Sequence, residues 1–201
     1  MGDSMFAWNR AGNHAVSDVL AERLDTQIHD RSVIGARVRY ALPVSGSLGL
    51  SIPDQFREGP WDWIVVNGGG NDLWLGCGCV ACNGRLERLI SENGRRGSIP
   101  KMVSDLRATG ARVIYVGYLR SPGSFSPIEY CREVGDKMED RLARLEALDA
   151  GVYLVSLADL VPSGDRSFHS VDMIHPSVKG SQAIADRVAT VIRAEEERLS
   201  N

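Results

Sequence analysis

Apolar residues along the chain follow two spacings, one typical of buried strands and one typical of helices. Three short runs rich in β-branched and aromatic residues predict strands at residues 61–67, 112–117 and 151–157. Apolar positions three and four apart predict helices in the segments around them. These helices are expected at residues 15–24, 85–90, 100–110, 128–148 and 177–199.

Two further segments give weaker patterns. Residues 27–33 predict a weak strand, and residues 35–59 are rich in Gly, Ser and Pro, which is typical of a loop with at most a helical turn near Pro53. Strands that alternate with helices favour a parallel sheet covered on both faces, joined by right-handed crossovers. No repeat or linker interrupts this order, so residues 1–201 are interpreted as one α/β domain.

Length and charge narrow the classes of function. A chain of 201 residues is long enough to bury roughly 70% of the surface that its unfolded form exposes. Its 23 basic and 26 acidic residues give a net charge of −3 without a basic stripe, so we expect no nucleic-acid partner. No apolar run approaches the ~20 residues that cross a bilayer. The chain as given therefore predicts a soluble, cytoplasmic protein without a membrane span.

Residues that could take part in catalysis follow two of the predicted strands. Gly68, Gly69, Gly70 and Asn71 come directly after one strand, and the segment Asp172 to His175 follows the last strand through a loop. Because the ligand crevice of a parallel sheet lies outside the carboxyl ends of its strands, these groups are expected at one edge. A serine near the N-terminus, in Gly2-Asp3-Ser4, would join them if a parallel strand precedes it.

These side chains suit nucleophilic catalysis. A serine hydroxyl is a poor nucleophile at neutral pH unless a base lies within hydrogen-bond reach, and the ordinary pKa of histidine suits that role. We predict Ser4 as the nucleophile and His175 as its base. Asp172, three residues earlier, would accept a hydrogen bond from the other imidazole nitrogen and orient the ring.

The position of Ser4 conflicts with this prediction in one respect. A serine that is presented from a sharp turn usually needs a strand behind it, and only three residues precede Ser4. We expect either that an upstream strand has been lost or that the fold tolerates its absence. An upstream signal peptide would have been lost with it, so a periplasmic or secreted location stays open.

In the order of its motifs the chain resembles the SGNH, or GDSL-type, family of serine esterases and lipases. Three blocks carry the resemblance in the family's order: Gly2-Asp3-Ser4, Gly69-Gly70-Asn71-Asp72 and Asp172-Met173-Ile174-His175. The family's second block is a glycine in a loop, for which Gly35 is the best candidate. The resemblance implies a flavodoxin-like, three-layer α/β/α fold with about five strands, the first of them missing or truncated. It implies hydrolysis of a small-molecule ester through an acyl-enzyme, without a metal or cofactor, and an oxyanion hole formed by Ser4, Gly35 and Asn71.

Other interpretations compete with this one. Gly-Asp-Ser is common in turns, and Asp172 alone would suit a helix cap. The chain would then be a non-catalytic binding module or a truncated, inactive hydrolase, and an acyltransferase to a sugar or other hydroxyl would use the same residues. A Ser4 hydroxyl within reach of the His175 ring would favour catalysis over binding.

The remaining candidates have weaker support. Trp8 and Trp74 would line a substrate pocket or pack in the core, and Arg120 would contact an anionic substrate or lie at the surface. His14, His29 and His169 are expected to be solvated or structural, with His169 the one rival base. The cysteines would form disulfides, stay free or bind zinc; they are Cys77, Cys79, Cys82 and Cys131. The ester itself and the oligomeric state stay open, and specificity is expected in loops 36–59, 73–84 and 118–130.

Overall fold

Three parallel strands form the centre of the fold in the computed structural model, which describes residues 1–40, 48–123 and 126–201. The strands are β1 (Trp63–Val66), β2 (Arg112–Val116) and β3 (Val152–Val155), hydrogen-bonded in the order β1-β2-β3. Val66 pairs with Tyr115, which in turn pairs with Leu154. All three strands were predicted, because their β-branched and aromatic residues suit a sheet that is buried on both faces.

The described residues form seven α-helices around this sheet. They are α1 (Ser4–Ala7), α2 (Val16–Leu24), α3 (Gly70–Cys77), α4 (Asn83–Leu89), α5 (Ser98–Arg107), α6 (Arg132–Glu146) and α7 (Val178–Ser200). Five of them confirm predicted helices, with ends shifted by up to four residues. A 3₁₀ turn at Pro53–Gln55 confirms the short turn expected there. Within the described ranges, no helix is long and apolar enough to cross a membrane.

Alternate residues of β2 face two separate apolar cores, which makes the fold three-layered. Val113 and Tyr115 pack in a core with residues of α4, α5 and α6. Ile114 and Val116 pack on the opposite face with residues of α2 and α7. Since side chains alternate along a strand, one sheet separates two helical layers, and the predicted α/β/α architecture is confirmed.

The sheet is smaller than expected, with three strands in the described residues rather than about five. Residues 27–33 do not form the predicted strand. Asp30 accepts a hydrogen bond from the Ser32 N–H at 2.8 Å, and such local bonds compete with a strand ladder. The side chain of Asp30 also pairs with Arg10 at 2.6 Å, which fixes the turn.

Two residues at the N-terminus occupy the edge of the sheet beside β1. The Met1 nitrogen donates to the Val65 carbonyl at 2.9 Å, and the Asn67 N–H donates to the Met1 carbonyl at 3.3 Å. On the other side, the Val33 N–H donates to the Gly2 carbonyl at 3.0 Å. These bonds hold the chain ahead of Ser4 in the place of a first strand, although no strand is formed there in the described part.

The sequence predicts a loop at residues 73–84, whereas the structure has helix α3 at Gly70–Cys77. Gly70 and Gly76 lie inside this helix. Because glycine has a low helix propensity, two glycines in eight residues mask the sequence signal of so short a helix. Gly69 precedes it with φ of 101°, a conformation that glycine adopts without strain. Parts of the other two predicted specificity loops, residues 41–47 and 124–125, lie outside the described residues.

Candidate active site

Ser4, His175 and Asp172 form a continuous chain of hydrogen bonds. The Ser4 Oγ lies 2.8 Å from His175 Nε2, and His175 Nδ1 lies 2.6 Å from an Asp172 carboxylate oxygen. Ser4 is the first residue of α1, and His175 lies shortly before α7, so the two ends of the chain meet here. The structure thus brings together the three side chains that the sequence predicted as a triad.

A tight turn orients Asp172 toward the imidazole. Its second carboxylate oxygen accepts the N–H groups of Ile174 and His175, each at 3.0 Å. Burial raises the pKa of Asp172, but hydrogen bonds from the His175 ring and from these two N–H groups outweigh it, so the pKa lies below its ordinary value. Asp172 is therefore a carboxylate at neutral pH, as an orienting group must be.

The Trp8 ring packs against one face of the His175 imidazole. Its ring stacks on His175 with centroids 3.7 Å apart and planes only 6° from parallel. The Trp8 Nε1–H donates to the Ser170 hydroxyl at 2.9 Å, which fixes the indole in turn. The sequence placed Trp8 in a pocket or in the core, whereas it lies against the predicted base. No local sequence signal indicated this stacking.

The Gly2-Asp3 pair anchors the turn that presents Ser4. The Asp3 N–H donates to Asn67 Oδ1 at 3.2 Å, and a Cβ on Gly2 would lie 1.8 Å from that oxygen, so only glycine fits. The buried Asp3 carboxylate accepts from Met5 N–H, Asn67 Nδ2 and the Tyr118 hydroxyl. Burial raises the pKa of Asp3, and these three donors oppose that rise. Asn67 and Tyr118, which the sequence did not single out, thus hold the turn in place of a long strand.

The Asn71-Asp72 pair connects α3 to the segment that contains Gly35. The Asn71 Nδ2 donates to the Ala36 carbonyl at 3.0 Å, and Asp72 accepts the N–H groups of Val38 and Arg39 at 2.9 and 2.8 Å. An amide nitrogen carries two protons, so Asn71 keeps one for another acceptor.

Two of the three predicted oxyanion donors line one cavity, and the third does not. The Ser4 N–H, at the first position of a helix, has no intrahelical acceptor, and both Ser4 and Asn71 line a cavity. Gly35 has φ of 81° but does not line that cavity. Its role as the third donor stays a prediction that rests on its adjacency to Ala36, which Asn71 contacts.

The cavity beside Ser4 has a volume of about 120 Å³ and a mainly apolar wall. Trp74 contributes to this wall, and its Nε1–H donates to the Tyr130 hydroxyl at 3.2 Å. Arg120 also lines it, but its guanidinium pairs with Glu139 at 2.7 Å and with Asp136 at 2.8 Å. The charge of Arg120 is therefore already balanced, which disfavours the predicted contact with an anionic substrate.

All four cysteines lie in disulfides. Cys77 pairs with Cys82, and Cys79 pairs with Cys131 across 52 residues of sequence. The free-thiol and zinc alternatives are therefore wrong for this structure, and within the described ranges no cluster of three or more metal-ligating side chains occurs. The sequence could not choose among the three ways of pairing four cysteines.

His169 is separate from the hydrogen-bonded chain of Ser4. It is buried, and neither ring nitrogen has a hydrogen-bond partner among the described residues. Burial lowers the pKa of His169 below its ordinary value. His14 and His29 are exposed, and His29 makes an edge contact with Trp61 at 5.2 Å. None of the three lines the cavity, so His175 is the histidine that the geometry favours as base.

Comparisons with known proteins agree with this fold and these motifs. A sequence model described as the GDSL-like lipase/acylhydrolase family matches residues 1–183. The fold is similar to that of a protein from Slackia heliotrinireducens assigned as an SGNH hydrolase, with a TM-score of 0.66, 20% identity and 95% of each chain covered. A family 3 carbohydrate esterase from Clostridium thermocellum gives a TM-score of 0.61 at 16% identity, covering 96% of this chain and 95% of that one.

A carbohydrate acetylesterase from Sinorhizobium meliloti has the same fold, with a TM-score of 0.55, 15% identity and 96% of each chain covered. Among curated proteins, none matches this chain. At these identities, the structural neighbours establish the fold alone.

Proposed function

The chain belongs to the GDSL-like lipase/acylhydrolase family, and from this premise we propose that it hydrolyses carboxylic esters through a covalent acyl-enzyme on Ser4. The hydrogen-bonded chain from the Ser4 hydroxyl through His175 to Asp172 is the observation that carries the proposal. A binding module would not need a hydroxyl aligned with an imidazole that is itself oriented by a carboxylate. The geometry therefore favours catalysis over binding.

Acylation begins when the Ser4 Oγ attacks the ester carbonyl carbon and its proton passes to His175 Nε2. Asp172 stabilises the imidazolium that forms, and the stacked Trp8 ring keeps the imidazole in line with Ser4. The carbonyl oxygen becomes an oxyanion, which accepts hydrogen bonds from the Ser4 N–H and Asn71 Nδ2, with the Gly35 N–H as the predicted third donor. Collapse of the intermediate breaks the bond to the alcohol, which leaves with the proton of His175.

Deacylation repeats these steps with water as the nucleophile. His175 removes a proton from water, the resulting hydroxide attacks the acyl carbon, and the same donors hold the second oxyanion. The Ser4 Oγ then leaves with the proton of His175, which releases the carboxylic acid and restores the starting state. One ester and one water thus give one acid and one alcohol.

A fluorophosphonate probe is expected to label Ser4 alone, because an activated serine attacks phosphorus as it attacks a carbonyl carbon. Intact-mass analysis should show one adduct in the parent chain and none in Ser4→Ala, and peptide mapping should place the adduct on Ser4. Ser200→Ala is the matched control, since its hydroxyl lies at the exposed end of α7, and it should label as the parent does. Labelling of the Ser4→Ala variant to the same extent would contradict the proposal.

The Asn71→Ala variant is expected to lose about 10²- to 10³-fold in kcat, the usual effect of removing one oxyanion donor. KM should change much less, since the oxyanion exists only after attack. Steady-state hydrolysis of p-nitrophenyl acetate measures both constants. Asn93→Ala is the control, because its side chain bonds only within the surface loop after α4. An unchanged kcat in Asn71→Ala would remove Asn71 from the proposed oxyanion hole.

A further inference from the structure

The cavity beside Ser4 has features that restrict the ester it accepts. We propose that it binds the acyl chain of the substrate, that it admits only short, uncharged acyl groups, and that the Cys79–Cys131 disulfide sets this limit. This inference rests on the proposed function, because an acyl pocket has meaning only if Ser4 is the nucleophile. The cavity meets the hydrogen-bonded chain directly, since Ser4, Asn71 and His175 all line it.

Volume limits the length of the acyl group. The cavity holds about 120 Å³. An apolar cavity of about 150 Å³ in another protein accommodates one benzene molecule, so this one suits an acyl group of only a few carbon atoms. Its inner wall is formed by close-packed, buried side chains, among them Leu73, Val134 and Met138, which an acyl chain that extends further inward would have to displace.

The chemistry of the wall excludes charged and hydroxylated groups. Arg120 is balanced by Glu139 and Asp136, and Arg132 is paired with Glu129 at 2.9 Å. The Tyr118 hydroxyl is used by Asp3. A carboxylate or a sugar ring inside the cavity would lose its hydration without gaining partners, which is unfavourable. The cavity therefore suits the acyl side of an ester, and a polar alcohol would remain outside it.

A covalent link fixes the outer wall of the cavity. Cys79 follows α3 and Cys131 directly precedes α6, and both line the cavity. The hydrogen bond between Trp74 and Tyr130 ties the same two segments together. Without the disulfide only non-covalent contacts such as this hydrogen bond would hold the two segments together, so they would separate more easily and widen the cavity. The neighbouring Cys77–Cys82 disulfide closes a short loop, and neither of its cysteines lines the cavity.

The test compares p-nitrophenyl acetate, butyrate and octanoate, which share one leaving group. The parent chain should favour acetate or butyrate over octanoate by about tenfold or more in kcat/KM. The additional methylene groups of octanoate would not fit in the cavity, and each misplaced methylene group weakens binding of the transition state. In Cys79→Ser/Cys131→Ser, the ratio of octanoate to acetate should rise by about tenfold. Cys77→Ser/Cys82→Ser is the matched control, and it should keep the ratio of the parent.

A second pair of variants leaves both disulfides intact, in case the serine variants do not fold. Val134→Ala enlarges the cavity and should also raise the ratio of octanoate to acetate. Val188→Ala removes the same atoms from the core on the opposite face of the sheet, and should leave the ratio unchanged. A ratio in Val134→Ala equal to that of the parent would overturn the assignment of the cavity to the acyl chain.

Three other results would overturn the inference while leaving the proposed function intact. The first is equal turnover of acetate and octanoate by the parent. The second is a shift of the ratio in the Cys77→Ser/Cys82→Ser control as large as in the other pair. The third is a series of acetate esters in which the size of the alcohol, rather than that of the acyl group, limits kcat/KM. Absence of turnover with every ester, together with absence of Ser4 labelling, would instead contradict the proposed function.

Discussion

The Ser4→Ala variant is expected to lose about a million-fold in kcat, the size of the effect when a serine hydrolase loses its nucleophile. Without Oγ no acyl-enzyme forms, and the remaining groups can only assist direct attack by water. The fold should survive, because the Ser4 hydroxyl has His175 as its side-chain partner and carries no helix cap. Hydrolysis of p-nitrophenyl acetate, corrected for the spontaneous reaction, measures the loss, and thermal unfolding followed by circular dichroism checks the fold.

The effects of removing the Ser4 and His175 side chains are expected not to add. Groups that act as one unit lose their effect together, so Ser4→Ala/His175→Ala should be no slower than Ser4→Ala alone. A further large loss in the double variant would mean that His175 acts independently of Ser4. Ser200→Ala is the control for a lost hydroxyl and should match the parent. Retention of activity by a correctly folded Ser4→Ala would refute the assignment of the nucleophile.

The parts of the site that depend on local sequence could be predicted. Asp172 and His175 are three residues apart, so a single turn joins them whatever the rest of the fold does. Asn71 follows a strand whose pattern is unmistakable, and the carboxyl end of a parallel strand fixes the edge at which it lies. The three strands could be predicted as well, because β-branched residues favour strands through their local sequence alone.

The parts that depend on how distant segments pack could not be predicted. Trp8 meets His175 across nearly the whole length of the chain, and nothing in either local pattern encodes that contact. Asn67 and Tyr118 converge on Asp3 only because β1 and β2 place their ends side by side. Residues 27–33 have the composition of a weak strand, but the local bond of Asp30 to the Ser32 N–H takes the backbone out of the ladder.

The contacts of residues 1–3 explain how Ser4 is held without a strand ahead of it in the described residues. A strand holds a turn through backbone bonds, and here Met1 and Gly2 keep a few of them. The buried Asp3 carboxylate and the Asn67 amide supply the remainder through side chains. Buried polar groups whose hydrogen bonds are all made favour a single geometry. This network therefore holds the turn at Ser4 in the way that the backbone hydrogen bonds of a longer strand would.

The Asp172→Asn variant is expected to lose about 10⁴-fold in kcat, as in other triads whose carboxylate becomes an amide. An amide cannot stabilise the imidazolium that forms during attack, and its N–H₂ group favours the wrong imidazole tautomer. The substitution is a clean one, because the carbonyl oxygen of asparagine can still accept the N–H groups of Ile174 and His175 that hold the turn. The thermal midpoint should therefore change little.

A nearby aspartate provides the matched control for this variant. Asp165 also accepts a backbone N–H, that of Ser167 at 2.8 Å, but its side chain does not contact the imidazole. Asp165→Asn should keep the kcat of the parent, while Asp172→Ala should lose both activity and thermal stability, since alanine leaves the two N–H groups of the turn without their acceptor. If Asp172→Asn lost no more activity than Asp165→Asn, the carboxylate would serve only as a turn former, and orientation of His175 would have to come from the stacked ring of Trp8 alone.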